Sequence, residues 1–198
     1  MAVRVAVASV KGGVGKTTTA VYLAAVAARG RRAVTLVDAD PQGSAAVWLE
    51  SWPIANIEVL EAPSERLLRK ALAQDDEHSV LIIDTPPASE RLISAALAEA
   101  DVVVVPTRIG GVEGPRLTST LEMVPNGIPS GVVVSSARTW TRDFRESVDA
   151  WAAQGVPVWG VVPERVGIAA GPDAQLHLDG LDAAAEVWQR VRRAARRR

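Results

Sequence analysis

Six short runs rich in valine, isoleucine and leucine recur along the chain, at residues 3–9, 33–38, 79–84, 101–106, 131–136 and 156–162. Several are apolar at every position instead of alternating, the pattern of strands covered on both faces in a parallel sheet. A weaker run, Ile57–Glu61, reads as an edge strand. Between the runs, residues 17–29, 43–51, 64–73, 89–98, 112–123, 141–154 and 179–195 carry helical spacing, with Ser64 and Ser89 as N-caps and Gly30 as a stop. Strand–helix alternation repeated this often predicts an α/β fold: a doubly wound, mostly parallel sheet with helices on both faces. No long linker, internal repeat or low-complexity stretch interrupts it. Residues 1–198 are therefore expected to form one domain, ending in an Arg-rich helix over 179–198.

Composition narrows the chemistry. With no cysteine among 198 residues, disulfide frameworks, thiol nucleophiles and zinc–thiolate sites are excluded. Two histidines, His78 and His177, are far apart in sequence and argue against a multi-histidine metal site. Six arginines fall in the last nine residues (Arg190, Arg192, Arg193, Arg196, Arg197, Arg198), so a chain of net charge −1 has a body of net −7. An acidic body with a basic end suggests a polyanion-binding appendage, against the plainer reading of a solvated helix end favoured by its own dipole. No apolar run reaches 18 residues and the N-terminus lacks a signal layout, which points to a cytoplasmic protein.

Residues 9–19 read Ser-Val-Lys-Gly-Gly-Val-Gly-Lys-Thr-Thr-Thr, directly after the first strand and opening the first helix. Gly12, Gly13 and Gly15 allow the backbone around Val14 to curl until successive N–H groups face an anion. The helix start at Lys16, Thr17 and Thr18 adds free N–H groups and a partial positive charge. Lys16 can reach terminal phosphates and the Thr17 hydroxyl can ligate magnesium. Where the generic phosphate-loop pattern has a leading glycine, this chain has Val10, followed by a second lysine, Lys11. Asp38 and Asp40 end the second strand and Asp84 the strand 79–84, where an open parallel sheet places its ligand crevice. Carboxylates there fit a cation between phosphates, with helix caps and turns as the alternative.

These segments resemble the ParA/MinD family of deviant Walker A ATPases. The residues carrying the resemblance are Lys11-Gly-Gly-Val-Gly-Lys16-Thr-Thr-Thr19, Asp38-Ala-Asp40-Pro-Gln-Gly43 and Ile83-Asp84-Thr-Pro-Pro87. The short length resembles the small ParA or ParF branch, which segregates plasmids or chromosomes. The resemblance implies a P-loop NTPase that hydrolyses ATP with Mg2+ as a nucleotide-sandwich homodimer. Lys11 would cross to the partner's phosphates while Lys16 serves its own. Asp40 would orient the attacking water, and Thr17 would hold magnesium with Asp84 and Asp38 behind it. A ParB-like activator is the implied protein partner. Pro163 and Arg165 fall where the family places an adenine-flanking loop. Residues Ser135-Ser136-Ala137-Arg138 depart from the adenine-reading Asn frequent in MinD-type relatives.

The last helix puts Leu181, Ala184, Ala185, Trp188, Val191 and Ala195 on one stripe, leaving Arg190, Arg193, Arg196 and Arg197 toward solvent. Small ParA proteins bind double-stranded DNA non-specifically through basic residues near this end, so these arginines are the leading DNA contacts. Arg138 and Arg142, with Arg145 around Trp140, form a second basic group. The resemblance thus implies a nucleoid-associated protein. A MinD-like membrane helix is disfavoured because alanine dominates its apolar face. A positioning factor for a non-DNA cargo, such as a microcompartment or receptor cluster, is the competing reading, and a small-molecule ligase or kinase is a third.

Overall fold

The computed structural model describes residues 3–30, 32–73, 79–87, 89–110 and 113–196. His78, Arg197 and Arg198 lie outside them, as does residue 112, where the fifth helix is expected to begin. Seven strands, β1 (Val3–Val7), β2 (Val34–Asp38), β3 (Ile57–Glu61), β4 (Val80–Asp84), β5 (Val102–Thr107), β6 (Ser130–Ala137) and β7 (Val158–Pro163), form one sheet in the order β3-β2-β4-β1-β5-β6-β7. Every pairing is parallel. The chain winds outward from β1 to β3, returns through β4, and then builds β5 to β7 on the other side of β1. That reversal puts a ligand crevice at the carboxyl ends of the strands around β1.

The fully apolar runs are the central strands. β4 and β5 are buried at every position, whereas edge strand β3 is only half-buried. Successive side chains of a strand point to opposite faces, so Val5 and Val7 join one core while Ala6 and Ala8 join the other. The first core lies under α1 (Lys16–Ala28), α2 (Ser44–Ser51) and a long C-terminal helix. The second lies under α3 (Glu65–Leu72), α4 (Glu90–Ala98), α5 (Glu113–Glu122) and α6 (Arg142–Ala153). Ser64 caps α3 by accepting the Leu67 N–H. Ser89 stands at the N-cap of α4 but its side chain makes no capping bond, because its backbone is not in the extended conformation that aims the hydroxyl at the helix.

A short α7 (Val166–Ala169) and a 3₁₀ turn (Gly171–Asp173) follow β7 before α8 (Leu178–Ala195) begins. Neither is among the expected elements; four and three residues are too few to show a helical period. The buried face of α8 comprises Gly180, Leu181, Ala183, Ala184, Val187, Trp188 and Val191, so Val187 and Ala183 join the expected stripe while Ala185 and Ala195 sit at its margin. This face packs on α1 and β7. Tyr22 of α1 is buried against it: a Cβ added at Gly180 would sit 2.4 Å from its ring. Its hydroxyl accepts the His177 N–H at 2.8 Å.

Gly180→Ala sets two effects against each other. Helix propensity favours alanine by about 1 kcal/mol, and overpacking against a ring that cannot retreat costs about 1–3 kcal/mol. The clash should win, lowering the thermal midpoint by about 2–6 °C in a chain of this size. A midpoint at or above that of the parent in thermal unfolding would show that the α1–α8 seam is loose.

Candidate active site

The carboxyl ends of the strands open on one cleft of about 370 Å³, lined at its floor by Gly13, Gly15, Lys16, Thr17 and Thr18. Asp40 after β2, Pro87 after β4, Arg108 after β5, and Ser135 and Ser136 of β6 complete the mouth. Register brings the acids together: Asp38 pairs with Asp84 across β2 and β4, and Asp84 pairs with Val7, the last residue of β1 before the glycine loop.

The loop takes the shape its glycines permit. Gly13 and Gly15 have φ of 73° and 88°, left-handed values that carry little penalty only for glycine. Gly15 is the N-cap of α1 and no side chain caps that helix. Its first turn therefore keeps N–H groups for an anion. Lys16 is 6% exposed and donates from Nζ to the Lys11 carbonyl at 2.8 Å. Burial lowers its pKa, while the charges of Asp84 and Asp40 oppose that shift.

Asp84, which lies behind Lys16 and Thr17 without lining the cleft itself, is the most unusual group of the site. It is fully buried, and burial pushes its pKa from the ordinary 3.8 to about 7; the Asp38 and Asp40 charges add to the shift, while the Thr17 hydroxyl and Lys16 oppose it. Among the described residues neither carboxylate oxygen has a well-formed hydrogen-bond partner. Such a carboxylate is costly unless a cation compensates it. Among the described residues no three acidic or histidine side chains form a metal cage. Mg2+ keeps several waters and takes one or two protein ligands plus phosphate oxygens, so it asks for few protein donors. The chemistry of Asp84 beside Thr17 therefore fits the ion.

Asp38 does other work. Oδ1 accepts the Asp40 N–H at 3.1 Å, and Oδ2 accepts those of Ala45 and Ala46 at 2.9 and 3.0 Å. It ties the β2–α2 loop to the start of α2. Burial raises its pKa, and these three N–H groups oppose the rise. Asp40 is fixed in turn: Oδ1 accepts the Gln42 N–H at 2.9 Å, and the side chain lines the cleft.

Pro163 ends β7, just past Val162 on the cleft wall. Arg165 precedes α7 and bonds Asp179 at 2.6 Å and the Glu164 carbonyl at 3.0 Å; neither Pro163 nor Arg165 lines the cleft. Arg190, Arg193 and Arg196 are exposed and in no ion pair with a described residue, while Arg197 lies outside the described residues. Gly180, Ala184 and Val187 on the first part of α8 line the cleft, and the arginines follow on its last turns, roughly 5 to 14 Å further along the helix axis. In the second basic group Arg138 forks onto Glu164 at 2.6 and 3.1 Å, Arg142 bonds Glu146 at 2.6 Å, and Arg145 donates to the Trp140 carbonyl. Trp140 is 67% exposed.

Two features escaped the sequence reading. Arg108 lines the cleft directly after β5, and the rule that pointed to Asp84, chemistry at the carboxyl end of a central strand, would have found it. The inner wall of the cleft, formed by Tyr22, Trp48, Ile168 and Pro172, depends on the short α7 and 3₁₀ turn that periodicity cannot reveal.

Residues 5–178 match the family described as the CobQ/CobB/MinD/ParA nucleotide binding domain. The chain is 38% identical over 162 residues to the maintenance of carboxysome distribution protein A of Gloeobacter kilaueensis, covering 78% of this chain and 73% of that one. It is 34% identical over 214 residues to the chromosome-partitioning ATPase Soj of Thermus thermophilus, covering 85% and 84%. The septum site-determining protein MinD of Pyrococcus horikoshii, solved as a Mg-ADP complex, superposes with a TM-score of 0.75 at 18% identity, covering 96% of each chain. The glycine loop that opens α1, the paired carboxylates at the ends of β2 and β4, and these matches place the chain in the CobQ/CobB/MinD/ParA family of nucleotide-binding proteins, among its ParA/MinD-type members.

Proposed function

We propose that the protein hydrolyses ATP to ADP and phosphate, and that ATP-dependent dimerisation controls its non-specific binding to DNA in plasmid or chromosome partition. The observation that carries the ATPase reading is Asp84, fully buried with neither oxygen in a well-formed hydrogen bond to a described residue, beside Thr17 and behind Lys16 at the head of α1. The α1 N–H groups and Lys16 hold the phosphates and neutralise the charge that builds on them, which is most of what phosphoryl transfer asks of a protein. Asp40, fixed by its turn, orients the attacking water. Lys11 reaches the phosphates of a partner copy, so that hydrolysis follows dimerisation. The Thr17 hydroxyl, with Asp84 behind it, would hold Mg2+, which would supply charge neutralisation, and Asp38 would back the site through the loop that its hydrogen bonds tie down.

The arginines at the end of α8 support DNA as the polyanion, because they are exposed and unspent on carboxylates. The carboxylate-paired Arg138 and Arg142 are the weaker candidates. No helix of the described residues is long and apolar enough to cross a membrane. We place the protein in the cytoplasm on the nucleoid, with a ParB-like activator. The 38% identity to a carboxysome distribution protein supports a second reading, the same switch moving a non-DNA cargo.

Duplex binding and molecular mass, measured with ATP, with ADP and without nucleotide at two salt concentrations, test this directly. The expected result is a dimer with ATP alone that binds any duplex sequence. Affinity should fall by about fortyfold or more between 50 and 200 mM salt if three or more phosphates are neutralised. Replacing Arg190, Arg193 and Arg196 together by Ala should remove most binding and flatten the salt slope. ATP-driven dimerisation with no DNA binding in any state would overturn the nucleoid reading, and anionic vesicles would be the next surface to try.

A further inference from the structure

β6 is irregular where it meets the glycine loop. Its pairing with β7 runs Val134 to Val161 and then Ala137 to Pro163, so Ser135 and Ser136 together face the single residue Val162. The extra residue is absorbed by Ser136, whose φ of 49° is left-handed although serine has a Cβ. The bulge turns Ser135 inward. Its side chain is buried, with Oγ 2.6 Å from the Val14 carbonyl oxygen and 3.1 Å from that of Thr107. A hydroxyl has one proton to donate, and the shorter bond gives it to Val14. The loop lies tightly on this serine, since a Cβ at Gly15 would be 3.3 Å from the Ser135 Cβ.

Val14 C=O and Gly15 N–H belong to one planar trans peptide, in which the carbonyl and the N–H point in opposite directions. Fixing the carbonyl toward β6 therefore turns the Gly15 N–H away from β6, and Gly15 is one of the residues that line the cleft. We propose that Ser135 is a positioning residue for nucleotide binding: its hydroxyl locks the Val14–Gly15 peptide so that the Gly15 N–H faces the phosphates of a bound nucleoside di- or triphosphate. This rests on the reading of the cleft as a nucleotide site. It assigns to β6 a task at the phosphate loop that the glycine and lysine motif does not specify. Ser135 is the residue of β6 whose side chain grips the loop, and the left-handed neighbour Ser136 is what allows the grip.

The test is calorimetric binding of Mg-ATP and Mg-ADP, together with steady-state hydrolysis, on the full chain and on Ser135→Ala, Ser135→Thr and Ser135→Cys. Without the donor, the peptide is free to turn and the buried Val14 carbonyl loses its partner. Affinity for both nucleotides should then fall by about tenfold, KM should rise alike, and kcat should change by less than about threefold. Ser135→Thr, which keeps the hydroxyl, should recover most of the affinity. Ser135→Cys keeps the volume with a weak donor and carries the same expectation if the alanine variant does not fold. Unchanged nucleotide affinity in the alanine or cysteine variant, whatever its thermal midpoint, would mean that Ser135 only packs, and would overturn the proposal. So would a loss confined to ATP. If the parent chain itself binds neither nucleotide, the nucleotide reading fails first and takes this one with it.

Discussion

Asp84→Asn should make the nucleotide-free protein more stable above pH 7 and, at the same time, abolish hydrolysis. In the folded chain the Asp84 pKa is about 7, against an ordinary 3.8. Between those values the folded state holds a proton that the unfolded state has lost, so stability falls as pH rises through this window. The fall is complete once the folded group has ionised. A shift of this size corresponds to a loss on the order of 4 kcal/mol. Asp38, raised in the same direction by burial, adds to the slope. Asparagine removes the titration but keeps the shape, at the cost of placing an amide where neither carboxylate oxygen makes a well-formed hydrogen bond to a described residue. A net gain of about 2 kcal/mol at pH 8, vanishing near pH 4, is the expected balance. Denaturant unfolding at the two pH values measures it, and under the proposed function, in which this carboxylate backs the ion, hydrolysis with Mg-ATP should drop by at least about a hundredfold. A variant less stable than the parent at pH 8 would show that Asp84 has a partner in solution.

The phosphate loop and the doubly wound sheet were legible because they rest on local rules. Central strands such as β4 must be apolar on both faces, and the glycines at 13 and 15 announce a left-handed loop at a strand–helix junction. Asp84 followed from the rule that ligands gather at strand carboxyl ends. Asp38 obeys the same rule in position, yet all its hydrogen bonds go to the backbone, because α2 begins close enough to be capped by it. Sequence position cannot separate those tasks; only the folded distance does. The Ser135 contact joins residues 121 apart and depends on a one-residue bulge, which leaves no periodic trace. Edge composition, by contrast, did read through: β3 lies at the margin and is half-exposed, as its weaker apolar pattern implies.

Lys16→Ala should cost about a hundredfold or more in hydrolysis, with nucleotide affinity falling as well. Its ammonium is buried beside the loop carbonyl of Lys11 and within the field of Asp84 and Asp40, a placement that the exposed Arg108 of the cleft mouth does not share. For the parent, saturating Mg-ATP at about a hundred times Kd adds roughly 2.7 kcal/mol of stability; the variant should show almost none of that shift. Lys11→Ala separates the two lysines: if Lys11 acts on the partner copy, that variant keeps the nucleotide-induced shift and loses dimer-coupled turnover. The same substitution at Lys16 also reaches Asp84, because it removes one of the charges that hold the Asp84 pKa down. Nucleotide-free Lys16→Ala should therefore be less stable than the parent above pH 7, where Asp84 ionises, and closer to it near pH 4. Combining it with Asp84→Asn should erase that pH-dependent difference. If the double variant keeps the difference, the lysine and the aspartate do not share one electrostatic site, and a Lys16→Ala protein that turns over ATP at the parent rate would remove the phosphate loop from the mechanism altogether.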